Sequence, residues 1–126
     1  MFVFYNPNPA EKEVGDCVIR AIAKALDKSW EEAYIELCLK GYEMHDMPNS
    51  NAVWGAYLKE KGFKRGAVSE SCSECYTIED FTKEFPKGTY VIGTGTHAVT
   101  LIDGKIYDSY DTSTKWPLYY YKKEEA

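Results

Sequence analysis

Three residue types that together can carry out nucleophilic catalysis occur in the order Cys, His, Asp along this chain. Cys17 follows Gly15-Asp16 at the start of a run of helix formers. His97 opens a β-rich run, and Asp108 lies on the next one. A thiolate can attack a carbonyl carbon, an imidazole can carry the proton, and a carboxylate can orient the imidazole and stabilise its charged form. Because four cysteines and two histidines give such an order by chance quite often, structural roles for Cys17 and His97 stay equally open.

A hairpin at Asp103-Gly104 determines which of these side chains share a face of the sheet. Asp-Gly between two β-rich runs is typical of a two-residue turn. In that register His97 and Asp108 are diagonal neighbours on one face. The same face carries the apolar residues Val99, Leu101 and Ile106. We expect the first helix to pack on this face and to bring Cys17 to His97.

The position of Cys17 at a helix start affects its thiol. A helix N-terminus carries a partial positive charge and free N–H donors, which lower the pKa of a thiol and can hold an oxyanion. Asp16 is a natural N-cap residue. Its carboxylate disfavours a thiolate at Cys17 unless capping takes up the charge.

The remaining cysteines and the second histidine favour structural roles. Cys38, inside the second helix, is expected to be a buried small hydrophobe. His45 lies in a polar loop and is expected to be solvated. Cys72 and Cys75 form a single C-x-x-C in a Ser-rich loop, where an exposed segment without a structural role is favoured over redox or metal use. Zinc needs further ligands at a recognisable spacing, so we expect no metal and no cofactor.

The order of elements is that of an α+β domain, with N-terminal helices packed on a C-terminal antiparallel sheet. Residues 1–14 are expected to be an extended entry and residues 63–76 an irregular connection. The second helix should run from a capping box at Ser29 to about Lys40, where Gly41 closes it. The other helices are expected to start at Cys17, at Ser50 or Asn51, and at Thr77, and the strands to cover about 89–94, 97–102, 105–110 and 118–122.

Composition excludes several classes of protein. The 126 residues fit one domain, 1–126, and their net charge of -5 argues against a general nucleic-acid binder. There is no apolar run of about 18 residues to cross a membrane, and the short apolar start lacks the features of a signal peptide. We therefore expect a cytoplasmic protein that binds neither nucleic acid nor membrane. The sequence carries no prediction of oligomeric state.

The segments around the candidate residues resemble papain-like cysteine peptidases. The segments are Gly15–Ile22, Gly95–Val99 and Asp103–Asp108. They are similar to compact members such as bacteriocin-leader-processing peptidase domains, and to small phage and bacterial proteins. The resemblance implies a nucleophile at Cys17, a general base and acid at His97, and an orienting carboxylate at Asp108. Ser109 and Asp111 are weaker candidates for the third role.

One part of the family pattern is missing. Papain-like enzymes place a Gln about six residues before the Cys to stabilise the oxyanion, whereas this chain has Glu11 there and no Gln anywhere. Asn6 or Asn8 is the expected substitute, together with the backbone N–H of Cys17.

The resemblance implies a small cysteine hydrolase or acyltransferase acting on a peptide or protein amide, of peptidase, isopeptidase or deamidase type. If the chain is phage-encoded, its compartment is the host cytoplasm. The alternative is a non-catalytic host-interaction or inhibitor module on the same scaffold, which the missing Gln and the short loops favour. A metalloprotein built around Cys72 and Cys75 is a third hypothesis.

Overall fold

The computed structural model describes residues 1–68 and 76–124, which form an α+β fold as predicted. These residues contain four helices and six strands. In chain order they are β1 (Phe2–Phe4), α1 (Cys17–Ala25), α2 (Trp30–Met44), α3 (Asn51–Glu60), β2 (Phe63–Ala67), α4 (Ile78–Glu84), β3 (Thr89–Gly93), β4 (Ala98–Ile102), β5 (Lys105–Asp108) and β6 (Tyr119–Lys123). Within the described ranges no helix combines the length and the apolar character that crossing a bilayer requires.

The sheet is open and mixed, which corrects the prediction of a purely antiparallel sheet. Its strand order is β1-β5-β4-β3-β6-β2, and β1 runs parallel to β5 while the other pairs are antiparallel. Strand β2 falls in the segment that was expected to be irregular, and β1 falls in the extended entry, which was not predicted to join the sheet. The short β1 shows no alternation, and β2 contains Lys64-Arg65-Gly66, which is typical of a loop. Pairing with distant strands, which local sequence does not reveal, makes them strands.

The hairpin register is confirmed. Thr100 pairs with Tyr107 and Ile102 pairs with Lys105 across the turn. Asp103 and Gly104 both have positive φ, 49° and 81°, as a type I′ turn requires.

The two faces of the sheet are covered by different helices. One face packs against α1 and α3 in a core that includes Ala21, Ile22, Trp54, Leu58, Val91 and Tyr121. The opposite face packs against α4 in a second core that includes Phe81, Ile92, Val99, Leu101 and Ile106.

The expectation that α1 packs on the face of Val99, Leu101 and Ile106 is therefore wrong. Helix α1 lies instead on the face of Ala98 and Thr100, where the Thr100 hydroxyl donates a hydrogen bond of 2.6 Å to the Ala21 carbonyl. Both faces of the sheet are apolar enough to be buried. The alternation of side chains along the strands therefore could not show which face α1 covers. The small side chains of Ala98 and Thr100 let the helix backbone approach the sheet closely.

The helices start where the sequence predicts, but α2 ends later than predicted. Ser29 with Glu32, and Thr77 with Asp80, form capping boxes, and Ser50 caps α3. Helix α2 continues past Gly41 to Met44 and ends at His45, which adopts the left-handed conformation. The prediction that Gly41 closes α2 is wrong.

Gly41 has a packing role instead. It is buried, and a Cβ added there would lie 2.8 Å from the Asp46 carbonyl oxygen and 3.2 Å from the Pro48 nitrogen. These are backbone atoms of the loop that follows α2, so they cannot turn aside as a side chain would. Glycine is therefore needed where this loop folds back on the helix.

We expect Gly41→Ala to destabilise the protein by about 1–3 kcal/mol, since the loop must shift to relieve the overlap. In an unobstructed helix the same change would stabilise by up to about 1 kcal/mol. Urea unfolding followed by circular dichroism measures the difference. Gly15→Ala is the control, because a Cβ at Gly15 meets nothing within 4 Å. A Gly41→Ala protein as stable as the wild type would contradict this account.

Candidate active site

Helix α1 begins at the candidate nucleophile. Asp16 occupies the N-cap position as predicted, but its buried carboxylate turns away from the helix N–H groups and binds Arg20 and the Trp30 indole. The Trp30 Nε1 to Asp16 Oδ2 distance is 2.8 Å. The sequence analysis named capping as the way to take up the negative charge next to Cys17. In the structure Arg20 takes up this charge instead.

Arg20 joins the start of α1 to the end of β5. Its Nη1 binds Asp16, and its Nη2 lies 2.8 Å from Asp108 Oδ1. Only 6% of Arg20 is exposed. The sequence analysis missed this residue. A lone arginine inside a run of Val, Ile and Ala, placed one helical turn after an aspartate, was the available signal.

Asp108 is held by partners at both carboxylate oxygens. Oδ1 accepts hydrogen bonds from Arg20 and, at 2.8 Å, from the Ser109 backbone N–H. Oδ2 accepts from the Thr112 hydroxyl at 3.1 Å and lies 2.7 Å from His97 Nε2. Thr112, like Arg20, was not predicted. The carboxylate thus has one orientation, fixed by four groups.

His97 and Asp108 reach α1 because neither lies inside the paired part of the hairpin. The β4–β5 pairing extends only as far as Thr100 and Tyr107. His97 precedes β4, and Asp108 is the last residue of β5. Asp108 also pairs with Phe4 of the edge strand β1, and at this end of the sheet its side chain binds Arg20 of α1 and the His97 ring.

The His97 ring lies between the Asp108 carboxylate and the Cys17 thiol. Nε2 is bound to Asp108, which leaves Nδ1 for the sulfur. Burial lowers the pKa of His97, but hydrogen bonds to Asp108 and Cys17, and their charges, outweigh it and raise the pKa to about 9. Burial raises the pKa of Asp108, yet hydrogen bonding to His97 and the charge of that ring hold it below its usual value.

The pKa of the Cys17 thiol is shifted in the direction that favours a thiolate. Burial raises its pKa, but hydrogen bonds to the His97 ring and the Ala98 backbone outweigh burial and leave the pKa below its usual value. The positive charges of His97 and Arg20 act in the same direction. The two shifts act together to favour a Cys17 thiolate facing a His97 imidazolium over the neutral pair.

Two cavities open on either side of this pair. The larger, about 590 Å³, includes Glu13, Arg20 and Tyr110 in its wall. The smaller, about 140 Å³, includes Asn51 and Trp54. Both cavities are also lined by Cys17, Asn49, Thr96 and His97. Cys17 thus lies in the wall of two cavities.

The expected oxyanion donors lie elsewhere. Asn6 donates from Nδ2 to the Lys12 carbonyl at 3.2 Å, and Asn8 accepts from the Ala10 backbone N–H at 2.8 Å. These bonds stabilise the N-terminal turn, and neither asparagine is among the described residues lining the Cys17 cavities. The Asn-Pro-Asn-Pro segment uses its amides locally, as turn chemistry does. Asn49, which the sequence analysis did not select, is the asparagine that borders both cavities.

Ser109 and Asp111, the weaker candidates for the orienting role, form no hydrogen bond to His97 in the part of the chain that the structure describes. The Asp111 carboxylate accepts from the Ser113 backbone N–H, and Ser109 contributes its own backbone N–H to Asp108. Cys38 is partly buried in α2, and His45 is exposed.

Cys72 and Cys75 lie outside the described residues. Among residues 1–68 and 76–124 no group of His, Cys, Asp and Glu has the arrangement of a metal site.

Comparison of the chain with family models, with curated proteins and with solved structures finds no match in any of the three. Function is therefore argued from the geometry of the site.

We expect Arg20→Gln to destabilise the protein by about 3–5 kcal/mol, because it leaves the buried carboxylates of Asp16 and Asp108 without their cation. Urea unfolding at neutral pH measures the loss. Lys28→Gln is the matched control, since it breaks a more exposed ion pair with Glu36 and should cost less than about 1 kcal/mol. Equal losses in the two variants would show that the Arg20 bridge contributes little.

We expect His97→Ala to slow iodoacetamide labelling of Cys17 at pH 7 by about tenfold or more, since burial then acts on the thiol without the compensating ring. Peptide mapping by mass spectrometry follows each cysteine separately. Cys38 in the same sample is the internal control and should label at an unchanged rate. If the Cys17 rate is unchanged as well, His97 does not activate the thiol.

Proposed function

We propose that this chain is a cysteine hydrolase or acyltransferase of papain-like type that acts on a peptide or protein amide. The observation that carries the proposal is the placement of the His97 imidazole between the Asp108 carboxylate, at 2.7 Å, and the Cys17 thiol at the start of α1. This is the arrangement of nucleophile, base and orienting group that thiol-dependent acyl transfer needs.

The first half-reaction forms a thioester. The Cys17 thiolate attacks the carbonyl carbon of the amide, and a carbon–sulfur bond forms while the carbonyl electrons move to oxygen. The backbone N–H of Cys17, at the open start of the helix, is placed to stabilise that oxyanion. The His97 imidazolium then gives its Nδ1 proton to the amide nitrogen, the carbon–nitrogen bond breaks, and the amine leaves.

The second half-reaction returns the enzyme to its starting state. Neutral His97 takes a proton from water as the water oxygen attacks the thioester carbonyl. The carbon–sulfur bond breaks, the acid leaves, and the thiolate and imidazolium are restored. An amine in place of water gives a transferase, and ammonia as the leaving group gives a deamidase.

Asp108 supports both half-reactions without touching the substrate. Its charge stabilises the imidazolium, and its hydrogen bond to Nε2 leaves Nδ1 as the ring nitrogen available to the thiol. Arg20 and Thr112 are positioning residues, because they hold the carboxylate in this orientation.

A non-catalytic interaction module is the second candidate. Three apolar side chains on α2 favour it, since Ile35 and Leu39 are each 58% exposed and Tyr42 is 80% exposed. An unpartnered apolar helix face is a feature of interaction surfaces. Such a module has no need of an activated thiol, so it predicts that Cys17 and Cys38 label at similar rates.

We expect turnover of a library of fluorogenic peptidyl-coumarin amides to show a bell-shaped pH profile. The rate should rise with deprotonation of the thiol, at a pH below the usual thiol range, and fall at about pH 9 as His97 loses its proton. The falling limb has this sign because the imidazolium is the acid that protonates the leaving amine. A rate that keeps rising through pH 9 would contradict the assignment of His97 as that acid.

We expect Asp108→Asn to lower kcat/KM in the same assay by about 10²- to 10⁴-fold, since the amide neither stabilises the imidazolium nor fixes its orientation. Asp111→Asn is the matched control, because Asp111 is exposed and its carboxylate binds Ser113. Similar losses in the two variants would remove Asp108 from the mechanism.

A further inference from the structure

Glu13 lies at the junction of two cavities. It lines the cavity of about 590 Å³ that borders Cys17. It also lines another cavity, of about 580 Å³, which is bordered by Phe4, Asn6 and Glu11. Its side chain is exposed. A substrate segment that leaves Cys17 through the larger cavity therefore passes Glu13.

The other ionised groups around the larger cavity are paired with each other. Arg20 is bound to both Asp16 and Asp108, and His97 lies between Asp108 and Cys17. Glu13 takes part in none of the ion pairs formed within residues 1–68 and 76–124. The charge that this cavity offers to a ligand is thus negative, from the Glu13 carboxylate.

An aromatic ring borders the same cavity. Tyr110 lines it, is 49% exposed, and has its ring centroid 5.5 Å from that of His97. A free carboxylate and an exposed aromatic face are the two groups that bind guanidinium and ammonium ions. An acidic side chain would be repelled by Glu13, and an apolar one would desolvate Glu13 without a partner.

We propose that the cavity between Cys17 and Glu13 binds a basic side chain, Arg or Lys, of a peptide next to the amide that is attacked. The proposal rests on the proposed function for the identity of the reacting bond. The net charge of -5 acts in the same direction, since it attracts basic peptides to the protein.

The charge at the cavity can be measured without any turnover. Methanethiosulfonate reagents form a disulfide with a thiolate and release methanesulfinate, and they exist with a cationic trimethylammonium or an anionic sulfonate group. We expect Cys17 of the wild type to react faster with the cationic reagent. Glu13→Gln should lower the ratio of the cationic to the anionic rate by about three- to tenfold at low salt, and 1 M salt should reduce the wild-type ratio.

Glu124→Gln is the matched control. Glu124 is exposed and follows β6 at the end of the sheet opposite to His97, so its removal should leave the ratio unchanged. Peptide mapping confines the measurement to Cys17. A ratio that is the same in wild type, Glu13→Gln and Glu124→Gln would overturn the proposal.

Matched peptides test the side chain itself. Peptides that differ only by Arg or the neutral isostere citrulline are compared as competitors of Cys17 alkylation. We expect the Arg peptide to protect at a concentration at least about fivefold lower, with the difference reduced in Glu13→Gln and in Tyr110→Leu. Equal protection by both peptides would overturn the proposal.

The two proposals can fail separately. Protection that depends on Arg and on Glu13, without cleavage of any amide, would support the basic-side-chain site and count against the hydrolase. Cleavage with no preference for Arg over citrulline would support the hydrolase and count against the basic-side-chain site.

Discussion

The buried guanidinium of Arg20 is the contact on which the rest of the site depends. It binds Asp16 at the start of α1 and Asp108 at the end of β5, two points that are distant in the chain and adjacent in the fold. A buried arginine and two buried carboxylates are costly to desolvate, so they are stable only when each is fully hydrogen-bonded. Trp30 and Thr112 supply remaining partners. Within the described ranges, every buried side-chain nitrogen or oxygen has a hydrogen-bond partner.

The charges of this cluster determine the state of the thiol. Asp16, Asp108 and the Cys17 thiolate are negative, whereas Arg20 and the His97 imidazolium are positive. Had Asp16 been free, its charge would have raised the pKa of the neighbouring thiol. Because Arg20 binds that carboxylate, Cys17 is left with hydrogen bonds to His97 and the Ala98 backbone and with the charges of His97 and Arg20, which outweigh burial and lower its pKa.

The sequence predicted local features well and non-local ones poorly. Asp103-Gly104 specified the hairpin register, and Ser29 and Thr77 specified helix starts, since each depends on residues a few positions apart. The face that α1 covers and the strands β1 and β2 depend on residues far along the chain. The candidate triad was selected by residue type and register. Arg20, which links it to α1, was missed because its partner Asp108 is remote in sequence.

The same cluster connects the two electrostatic tasks of the proposed mechanism. By drawing the Asp16 carboxylate into the interior, Arg20 leaves the first N–H groups of α1 without a capping side chain in the described structure. In the proposed mechanism, these donors stabilise the developing oxyanion. By binding Asp108 with its other nitrogen, Arg20 orients the group that orients His97. In the proposed mechanism, one buried residue therefore supports both the oxyanion donors at the start of α1 and the orientation of the proton carrier.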